Sequence, residues 1–381
     1  MQKIVLKFGG SSLADAECIR RALDIIESYI REGKQALTVV SAIGDTTNSL
    51  IRISDSAVKG DKNFENLLRE LVKKHEDIVH TLVHSDHRSE TLTGLDNIFH
   101  ELSGTLQGFS LLHDKTPAGH DLVLSCGERA CALVISAALR SRGIANAYCD
   151  ARKIIISDNR FGSARVLFDE SEKRIREHFR NSKLPQVITG FIASNKKGET
   201  TTLGRSGSDY TASIIAAALN VKDIIIWTDV DGVMTADPRI TSDAFPIPNI
   251  SYEDAMELSH FGAKVIFPPT MIPAMKKNIP IHIKNSFHPE RSGTTISPKG
   301  VMEDYFATGI ASIDHVALIR VQGSGMIGVR GISARLFDCL ARHEINIILI
   351  TQASSEHSIC FAIDSGKADI ARESLEETFQ L

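Results

Sequence analysis

The sequence has few cysteines, no long apolar run and no excess of positive charge. Its six cysteines among 381 residues form no CxxC pair and no regular framework, so we interpret them as reduced core residues of a cytosolic protein. No apolar run approaches 18 residues and the N-terminus lacks a signal-peptide pattern, which argues against a membrane protein. Lysine and arginine total 43 against 47 acidic residues, and this formal net charge of −4 argues against a general nucleic-acid surface.

The first 114 residues alternate between strand and helix patterns. Apolar runs at 3–7 and 36–41 are typical of buried strands, and residues 14–32 between them have apolar positions at helical spacing. Strand, helix and strand at this separation predict a βαβ unit, and therefore an α/β fold with a mainly parallel sheet. Residues 48–114 have a polar helical pattern, which predicts an inserted helical region.

The pattern of strands and helices continues to about residue 297. The predicted strands lie at 121–125, 146–150, 185–191, 223–227 and 279–285, and the predicted helices at 127–141, at 208–219 and over most of 251–277. A linker is predicted at 298–305, where proline, glycine and charge are concentrated. Residues 306–381 then have a βαββα pattern, which lacks only the last strand of a ferredoxin-like module. Either a partner supplies that strand or, as we favour, the chain is a fragment of a longer protein.

The stretch KFGGSS, residues 7–12, joins the first strand to the first helix. It is not a Walker A loop, because its lysine precedes the glycines. One interpretation is a plain tight turn. The other is a cradle for a phosphate, in which amide groups unobstructed by side chains act together with the Lys7 ammonium. The hexapeptide alone does not decide between them.

A second glycine-rich stretch, TTLGRSGSDY, leads into the helix predicted at 208–219. Its loop brings amide donors to a helix start, and Arg205 has the planar fork that grips a carboxylate. Asp209 either complements the helix dipole or holds a cation such as Lys7 in place. An arginine between glycines is not needed to cap a helix, so we favour a functional site.

Further polar residues follow other strand ends, where α/β sheets place their ligand sites. Thr228 and Asp229 end the strand predicted at 223–227, and Arg239 lies further along in WTDVDGVMTADPR; this loop fits a nucleotide better than calcium. Two turns, SAIGDTTNSL and SCGERA, contribute Ser41, Thr47 and Glu128. They are either helix caps and dipole partners or the polar groups that recognise a small zwitterion.

Four histidines lie on one polar helical stretch: His75, His80, His84 and His87. Their spacing permits a metal site, but no carboxylate organises it, so we favour an exposed helix face and predict no metal site built from the chain's own side chains.

Taken together, five stretches in chain order resemble motifs of the aspartate kinases in the amino-acid kinase family: KFGGSS, TLGRSGSDYTA, WTDVDGVMTADPR, MELSHFGAKV and GISARLFDCLARHEINIILITQASSEHSI. The resemblance covers the whole chain and is strongest to the kinase portion of bifunctional aspartate kinase–homoserine dehydrogenases. It implies phosphorylation of L-aspartate by ATP with Mg²⁺, giving 4-phospho-L-aspartate. It also implies a three-layer αβα kinase domain over 1–297, with its helical insertion at 48–114, and a truncated ACT-type regulatory module over 306–381.

The resemblance assigns a role to each candidate residue. Lys7 and Asp209 are the catalytic pair, and the phosphate-binding positions are Gly9, Gly10 and Ser11. The aspartate-binding positions are Ser41, Thr47, Glu128, Arg205 and Ser208. The nucleotide-binding positions are Thr228, Asp229, Met234, Arg239 and Lys264. The effector-binding positions are Asn346, Ile347 and Gln352. The family also implies a homo-oligomer, a dimer or a tetramer.

The sequence departs from the family at a few positions. Met234 replaces a common tyrosine, and Phe267 and Pro269 replace a histidine and an arginine. Two other functions stay open, namely a kinase of another small carboxylate and an amino-acid-sensing subunit with an impaired kinase domain. The identity of the feedback amino acid also stays open.

Overall fold

The computed structural model describes residues 2–260, 266–300, 308–323, 326, 328–352 and 357–379, and the chain divides into two compact units, residues 1–311 and 312–381. Residues 301–305 of the predicted linker lie outside the described residues. The helices of the first unit are α1 (Ala16–Arg31), α2 (Thr46–Val58), α3 (Asn63–Leu82), α4 (Ser85–Leu112), α5 (Pro117–Ser141), α6 (Phe168–Phe179), α7 (Gly207–Leu219), α8 (Tyr252–His260) and α9 (Pro268–Lys276). Its strands are β1 (Lys3–Phe8), β2 (Gln35–Val40), β3 (Ala147–Cys149), β4 (Ile156–Ser157), β5 (Gln186–Thr189), β6 (Ile192–Asn195), β7 (Thr200–Thr202), β8 (Ile224–Thr228), β9 (Asn249–Ser251), β10 (Ile281–Asn285) and β11 (Thr294–Ser297).

The first unit is built on an eight-stranded sheet with the order β3-β5-β2-β1-β8-β10-β11-β9. The six strands from β3 to β10 are parallel, and β11 runs antiparallel to β10. Strand β1 lies at the centre because its residues are apolar on both faces. Ile4, Leu6 and Phe8 pack into one core and Val5 into the other.

Helices cover both faces of this sheet. Apolar residues of α1 to α5 belong to the core on one face, and those of α6 to α9 belong to the core on the other. The α/β fold with three αβα layers and a mainly parallel sheet is therefore confirmed. The polar helical pattern at 48–114 corresponds to α2, α3 and α4, which begin and end within a few residues of the predicted bounds.

The strand predicted at 121–125 is wrong, because these residues lie inside α5. This helix begins with Pro117 after a cap in which the Thr116 hydroxyl accepts a hydrogen bond from the Gly119 amide at 3.1 Å. Although the sequence has no apolar run of 18 residues, α5 is long and apolar enough to cross a membrane by length and composition. However, 83% of its apolar window is buried inside the unit, so α5 is a core helix.

A second, small sheet with the order β4-β6-β7 was not predicted. Strand β4 runs parallel to β6, and β7 runs antiparallel to it. The buried carboxylate of Asp121, on α5, accepts hydrogen bonds from the amide and hydroxyl of Thr202 at 2.8 and 3.0 Å, and from the Gly162 amide. These bonds fix the end of β7, from which the chain enters the loop before α7.

The six cysteines are free thiols, and five of them are buried. Burial raises the pKa of Cys126 and of Cys149 to about 12. They are core residues, as the sequence predicts.

The second unit contains the strands β12 (Val316–Gln322), β13 (Ile347–Gln352) and β14 (Ser358–Asp364) and the helices α10 (Ile332–Arg342) and α11 (Ala368–Phe379). The strands form an antiparallel sheet with the order β12-β14-β13. Its core includes Leu336 and Leu340 of α10, Phe361 of β14 and Leu375 of α11. The βαββα order is the one predicted.

The four histidines do not share the exposed helix face that was predicted: His80 and His84 are exposed and His87 is half-buried. His75 departs furthest from the prediction. It is fully buried in α3, where its Nδ1 lies 2.8 Å from the Leu71 carbonyl oxygen and its ring meets the Phe99 ring edge-on. Burial lowers the pKa of His75 to about 4. Within the described residues, no group of three or more histidine, cysteine or acidic side chains could hold a metal ion.

This burial makes the first unit sensitive to acid. Below pH 6.5 an unfolded chain protonates this imidazole while the folded chain does not, so stability falls as the pH drops from 6.5 towards 4. Between pH 7 and 5 the loss is roughly 2 kcal/mol. We expect His75→Leu to reduce this loss, measured by urea unfolding at both pH values. His80→Leu, which changes an exposed histidine on the same helix, should keep the wild-type loss. An equal loss in all three proteins would contradict the assignment to His75.

Candidate active site

Three parallel strands end side by side at one edge of the central sheet. Phe8 of β1 lies beside Val40 of β2 and beside Trp227 of β8. The Ser41 amide donates to the Phe8 carbonyl oxygen and the Gly9 amide to that of Trp227, both at 3.2 Å. The loops that follow these strands therefore meet at the carboxyl edge, where ligand sites of α/β sheets lie.

The glycines of KFGGSS allow two of these loops to pack backbone against backbone. A Cβ atom on Gly10 would lie 3.0 Å from the Gly44 carbonyl oxygen, and the Gly44 amide donates to the Gly10 carbonyl oxygen at 3.2 Å. A Cβ atom on Gly9 would lie 3.5 Å from the Lys7 Nζ atom. The glycines thus allow this loop to pass close to the Gly44 backbone and beside the Lys7 ammonium, with the Gly9 amide bonded to the end of β8.

Lys7 and Asp209 form a buried ion pair. The Lys7 Nζ atom lies 2.6 Å from Asp209 Oδ1, and each residue is only 8% exposed. Asp209 lies in the first turn of α7, where the helix dipole favours its negative charge. The structure therefore brings together the two residues predicted as the catalytic pair.

Glu128 lies on α5 and is buried against the loop after β2. Its Oε1 accepts a hydrogen bond from the Ala42 amide at 3.2 Å, and a Cβ atom on Gly127 would lie 2.9 Å from that of Ala42. Among the described residues, Oε2 has no hydrogen-bond partner. Desolvation raises the pKa of Glu128 to about 8. A positively charged ligand beside Oε2 would favour the ionised form of this carboxyl group and would supply the missing partner.

Ser41 lies on the same loop as Ala42, and Thr47 follows in the first turn of α2; both are half-buried. Because Ala42 donates to Glu128, this loop, the start of α2 and α5 place three of the predicted substrate-binding residues in one region.

The loop between β7 and α7 carries Arg205, and Ser208 lies in the first turn of α7. Ser208 is buried close to the loop after β5, since a Cβ atom added to Gly190 would lie 2.6 Å from the Cβ atom of Ser208. Arg205 is exposed, and its guanidinium lies over the ring of Phe267, with Cζ 5.4 Å from the ring centroid. Pro269, the other departure in this segment, is exposed in α9.

The predicted nucleotide positions are divided between the strand end and the loop after it. Thr228 ends β8, and its hydroxyl donates to Asp229 at 3.1 Å. Further along the loop, Met234 forms a β-bridge with Pro246, and Arg239 pairs with Asp237 at 2.6 Å. Hydrogen bonds from Arg239 lower the pKa of Asp237 to about 2. Lys264 lies outside the described residues.

The sequence did not identify a pair of serines that tie the glycine loop to its neighbours. Ser11 is exposed, whereas Ser12 is buried with its hydroxyl 2.7 Å from that of Ser286. Ser12 Oγ lies 3.3 Å from the Trp227 carbonyl oxygen, and Ser286 Oγ lies 3.0 Å from that of Thr228. These contacts join the loop after β1 to the ends of β8 and β10.

The sequence profile of the amino acid kinase family matches residues 2–285. The chain belongs to this family. An ACT domain profile matches residues 319–379, within the second unit.

Among the family members similar to this chain is the bifunctional aspartokinase/homoserine dehydrogenase 1, chloroplastic, of Arabidopsis thaliana, which is 36% identical over 386 residues. That match covers 99% of this chain but 42% of the relative, so the chain spans less than half of that protein's length. Two crystal structures of E. coli aspartokinase III are also similar. The complex with lysine and aspartate has a TM-score of 0.80 and 30% identity, and the match covers 100% of this chain and 84% of that one. The complex with aspartate and ADP has a TM-score of 0.79 and 31% identity, with coverages of 95% and 79%.

The predicted effector positions of this amino acid kinase lie on or beside β13. Asn346 is exposed just before the strand, Ile347 begins it and Gln352 ends it. The Gln352 side chain accepts a hydrogen bond from the Ser333 hydroxyl of α10 at 3.5 Å, and both residues line a cavity of about 190 Å³. Only Gln352 of the three lines that cavity.

Proposed function

We propose that this chain phosphorylates L-aspartate on its side-chain carboxylate, using ATP and giving 4-phospho-L-aspartate and ADP. The observation that carries the proposal is the buried Lys7–Asp209 pair beside two glycine-bearing loops at the carboxyl edge of the sheet. Membership of the amino acid kinase family and the likeness to aspartokinase III with bound aspartate and ADP support it.

The reaction needs no general base. A carboxylate oxygen of aspartate attacks the γ-phosphorus of ATP, a new O–P bond forms, and the bond from the γ-phosphorus to the bridging oxygen breaks, with its electron pair passing to ADP. Because the nucleophile is already an anion, catalysis consists of positioning two anions and neutralising their charge. Lys7 supplies a cation whose position Asp209 fixes, and the Gly10 amide would donate to the phosphate, whereas the Gly9 amide already donates to the Trp227 carbonyl oxygen.

The substrate's ammonium group would bind Glu128, whose Oε2 atom then gains a partner. Arg205 would hold a carboxylate of the substrate through its fork of N–H groups, and the hydroxyls of Ser41, Thr47 and Ser208 would add hydrogen bonds. An amino acid with two carboxylates would place its ammonium group at Glu128 and one carboxylate at Arg205. Its second carboxylate would then be available as the nucleophile.

The nucleotide would bind at the end of β8 and along the loop after it, through Thr228, Asp229, Met234 and Arg239, with Lys264 as a further candidate. The hydroxyl of Thr228 and the carboxylate of Asp229 are oxygen ligands of the kind that Mg²⁺ prefers, and this ion usually binds together with substrate phosphates. When bound, Mg²⁺ neutralises phosphate charge.

The assay that tests this function couples ADP release to a spectroscopic signal with four acceptors in turn: L-aspartate, L-glutamate, N-acetylglutamate and UMP. We expect kcat/KM for L-aspartate to exceed the others by at least tenfold. A preference for another acceptor would replace the proposal with a sibling kinase. If no acceptor is used although the protein is folded and binds an amino acid, the chain is a regulatory subunit.

We also propose a kinase domain over 1–297 and an ACT-type module over 306–381 that binds an amino-acid effector through Asn346, Ile347 and Gln352, in a homo-oligomer. The six free thiols suit a reducing compartment such as the cytoplasm.

A further inference from the structure

Arg205 has an unusual contact for a residue that is to bind a carboxylate. Its guanidinium lies over the face of the Phe267 ring, with Cζ 5.4 Å from the centroid. Among the described residues, the Arg205 side chain makes no ion pair and no hydrogen bond. Of the contacts that the described residues make, the ring face is therefore the one that restrains this exposed cation.

The backbone of Phe267 is fixed at the start of α9. It caps the start of α9, where its carbonyl oxygen accepts hydrogen bonds from the amide and the hydroxyl of Thr270, at 2.9 and 2.6 Å. Helix α9 is joined to α7 by a hydrogen bond from the Ala274 amide to the Ser213 hydroxyl at 3.1 Å. Helix α7 follows directly after the Arg205 loop and carries Asp209. The two joined helices, α7 and α9, therefore carry both Asp209 and Phe267.

A ring face orients a guanidinium without using its hydrogen-bond donors. The attraction arises between the cation and the negative face of the ring, whereas the five N–H groups of arginine point outward in the guanidinium plane. An acidic neighbour would restrain Arg205 equally well, but it would occupy the donors and would have to be displaced by the substrate. Restraining the long side chain beforehand also reduces the entropy that binding would otherwise lose.

We propose that Phe267 is a positioning residue that orients Arg205 for the carboxylate of the amino-acid substrate. This inference rests on the proposed function, in which Arg205 binds that carboxylate. The aromatic face at position 267, and not only its apolar volume, then sets the affinity for the substrate.

The test compares Phe267→Leu, which keeps an apolar side chain without a π face, with Phe267→Tyr, which keeps the face. For Phe267→Leu we expect about a fivefold rise in KM for L-aspartate, the size of a cation–π contact near 1 kcal/mol. Its kcat and its KM for ATP should stay within twofold of wild type, and Phe267→Tyr should restore the wild-type KM for aspartate. In an Arg205→Ala background, Phe267→Leu should have no further effect. Phe379→Leu, which removes a similar contact with Arg335 in the second unit, is the matched control.

Three results would overturn the inference. One is a wild-type KM for aspartate in Phe267→Leu. Another is an equal loss of kcat and of ATP affinity, which would assign the ring to general packing. The third is a full effect in the Arg205→Ala background. If the wild-type chain binds aspartate in calorimetry but does not phosphorylate it, the proposed function fails. The dissociation constants for aspartate of the same variants then test whether Phe267 orients Arg205. If the wild-type chain binds no aspartate, both are overturned.

Discussion

Lys7→Met should lower kcat by about 10³-fold or more, with a much smaller effect on the KM for aspartate. The ammonium is held 2.6 Å from Asp209 in a site that is almost closed to water, so its charge is strong and already in position when the phosphoryl group moves. Losing one preorganised group of this kind costs about 10² to 10⁵ in rate in other enzymes. Steady-state ADP release with saturating aspartate and ATP measures the effect.

The same ion pair requires a stability control. Removing one partner of a buried pair leaves an uncompensated charge and costs about 3–5 kcal/mol of stability. The activity of Lys7→Met alone therefore does not distinguish lost catalysis from lost stability. The double variant Lys7→Met/Asp209→Asn removes both charges and should recover much of the free energy of unfolding without recovering turnover. Lys3→Met, at the opposite end of β1, is the matched control and should keep kcat within twofold. Wild-type turnover in a folded Lys7→Met protein would remove Lys7 from the catalytic role.

The strand ends of the site could be predicted because each is encoded locally. The run IIIW at 224–227 is rich in β-branched residues and lies between turn signals, which favours a buried strand, and the glycines that follow β1 allow the close approach to Gly44. Parallel strands place such loops at one edge, so a few local patterns are enough to locate the site. The Lys7–Asp209 contact was one of two alternatives in this reasoning, and the resemblance to the aspartate kinases assigned the pair.

Residues that depend on burial or on distant partners could not be predicted in the same way. The run DLVLS has the apolar content of a strand, but α5 is buried on nearly all sides, so its helical period is hidden, and the cap at Thr116–Pro117 was the better signal. His75 resembles its exposed neighbours in sequence, yet its side of α3 faces Phe99. Ser12 and Ser286 are 274 residues apart, and no local pattern connects them.

Glu128→Gln should make the protein more stable above neutral pH while weakening aspartate binding. In the unfolded chain this carboxyl group loses its proton near pH 4.5, whereas burial keeps it protonated in the folded chain up to about pH 8. The folded state is therefore penalised increasingly as the pH rises from 4.5 to 8. Glutamine resembles the protonated acid and avoids this penalty. We expect its advantage in the free energy of unfolding to grow over this range to roughly 4 kcal/mol.

The same substitution should weaken the binding of aspartate. An ammonium group beside Oε2 would favour the charged carboxylate, so at pH 7 the wild-type protein should release about one proton when aspartate binds, and Glu128→Gln should release none. Calorimetry in two buffers of different ionisation enthalpy measures that proton, and KM for aspartate should rise about 100-fold in the variant, as for a lost buried charge contact. Glu90→Gln changes an exposed carboxylate on α4 and should alter neither quantity. Tight aspartate binding by Glu128→Gln would mean that the unpartnered oxygen is not the ammonium site. Arg205 would then be the remaining charged contact proposed for the substrate.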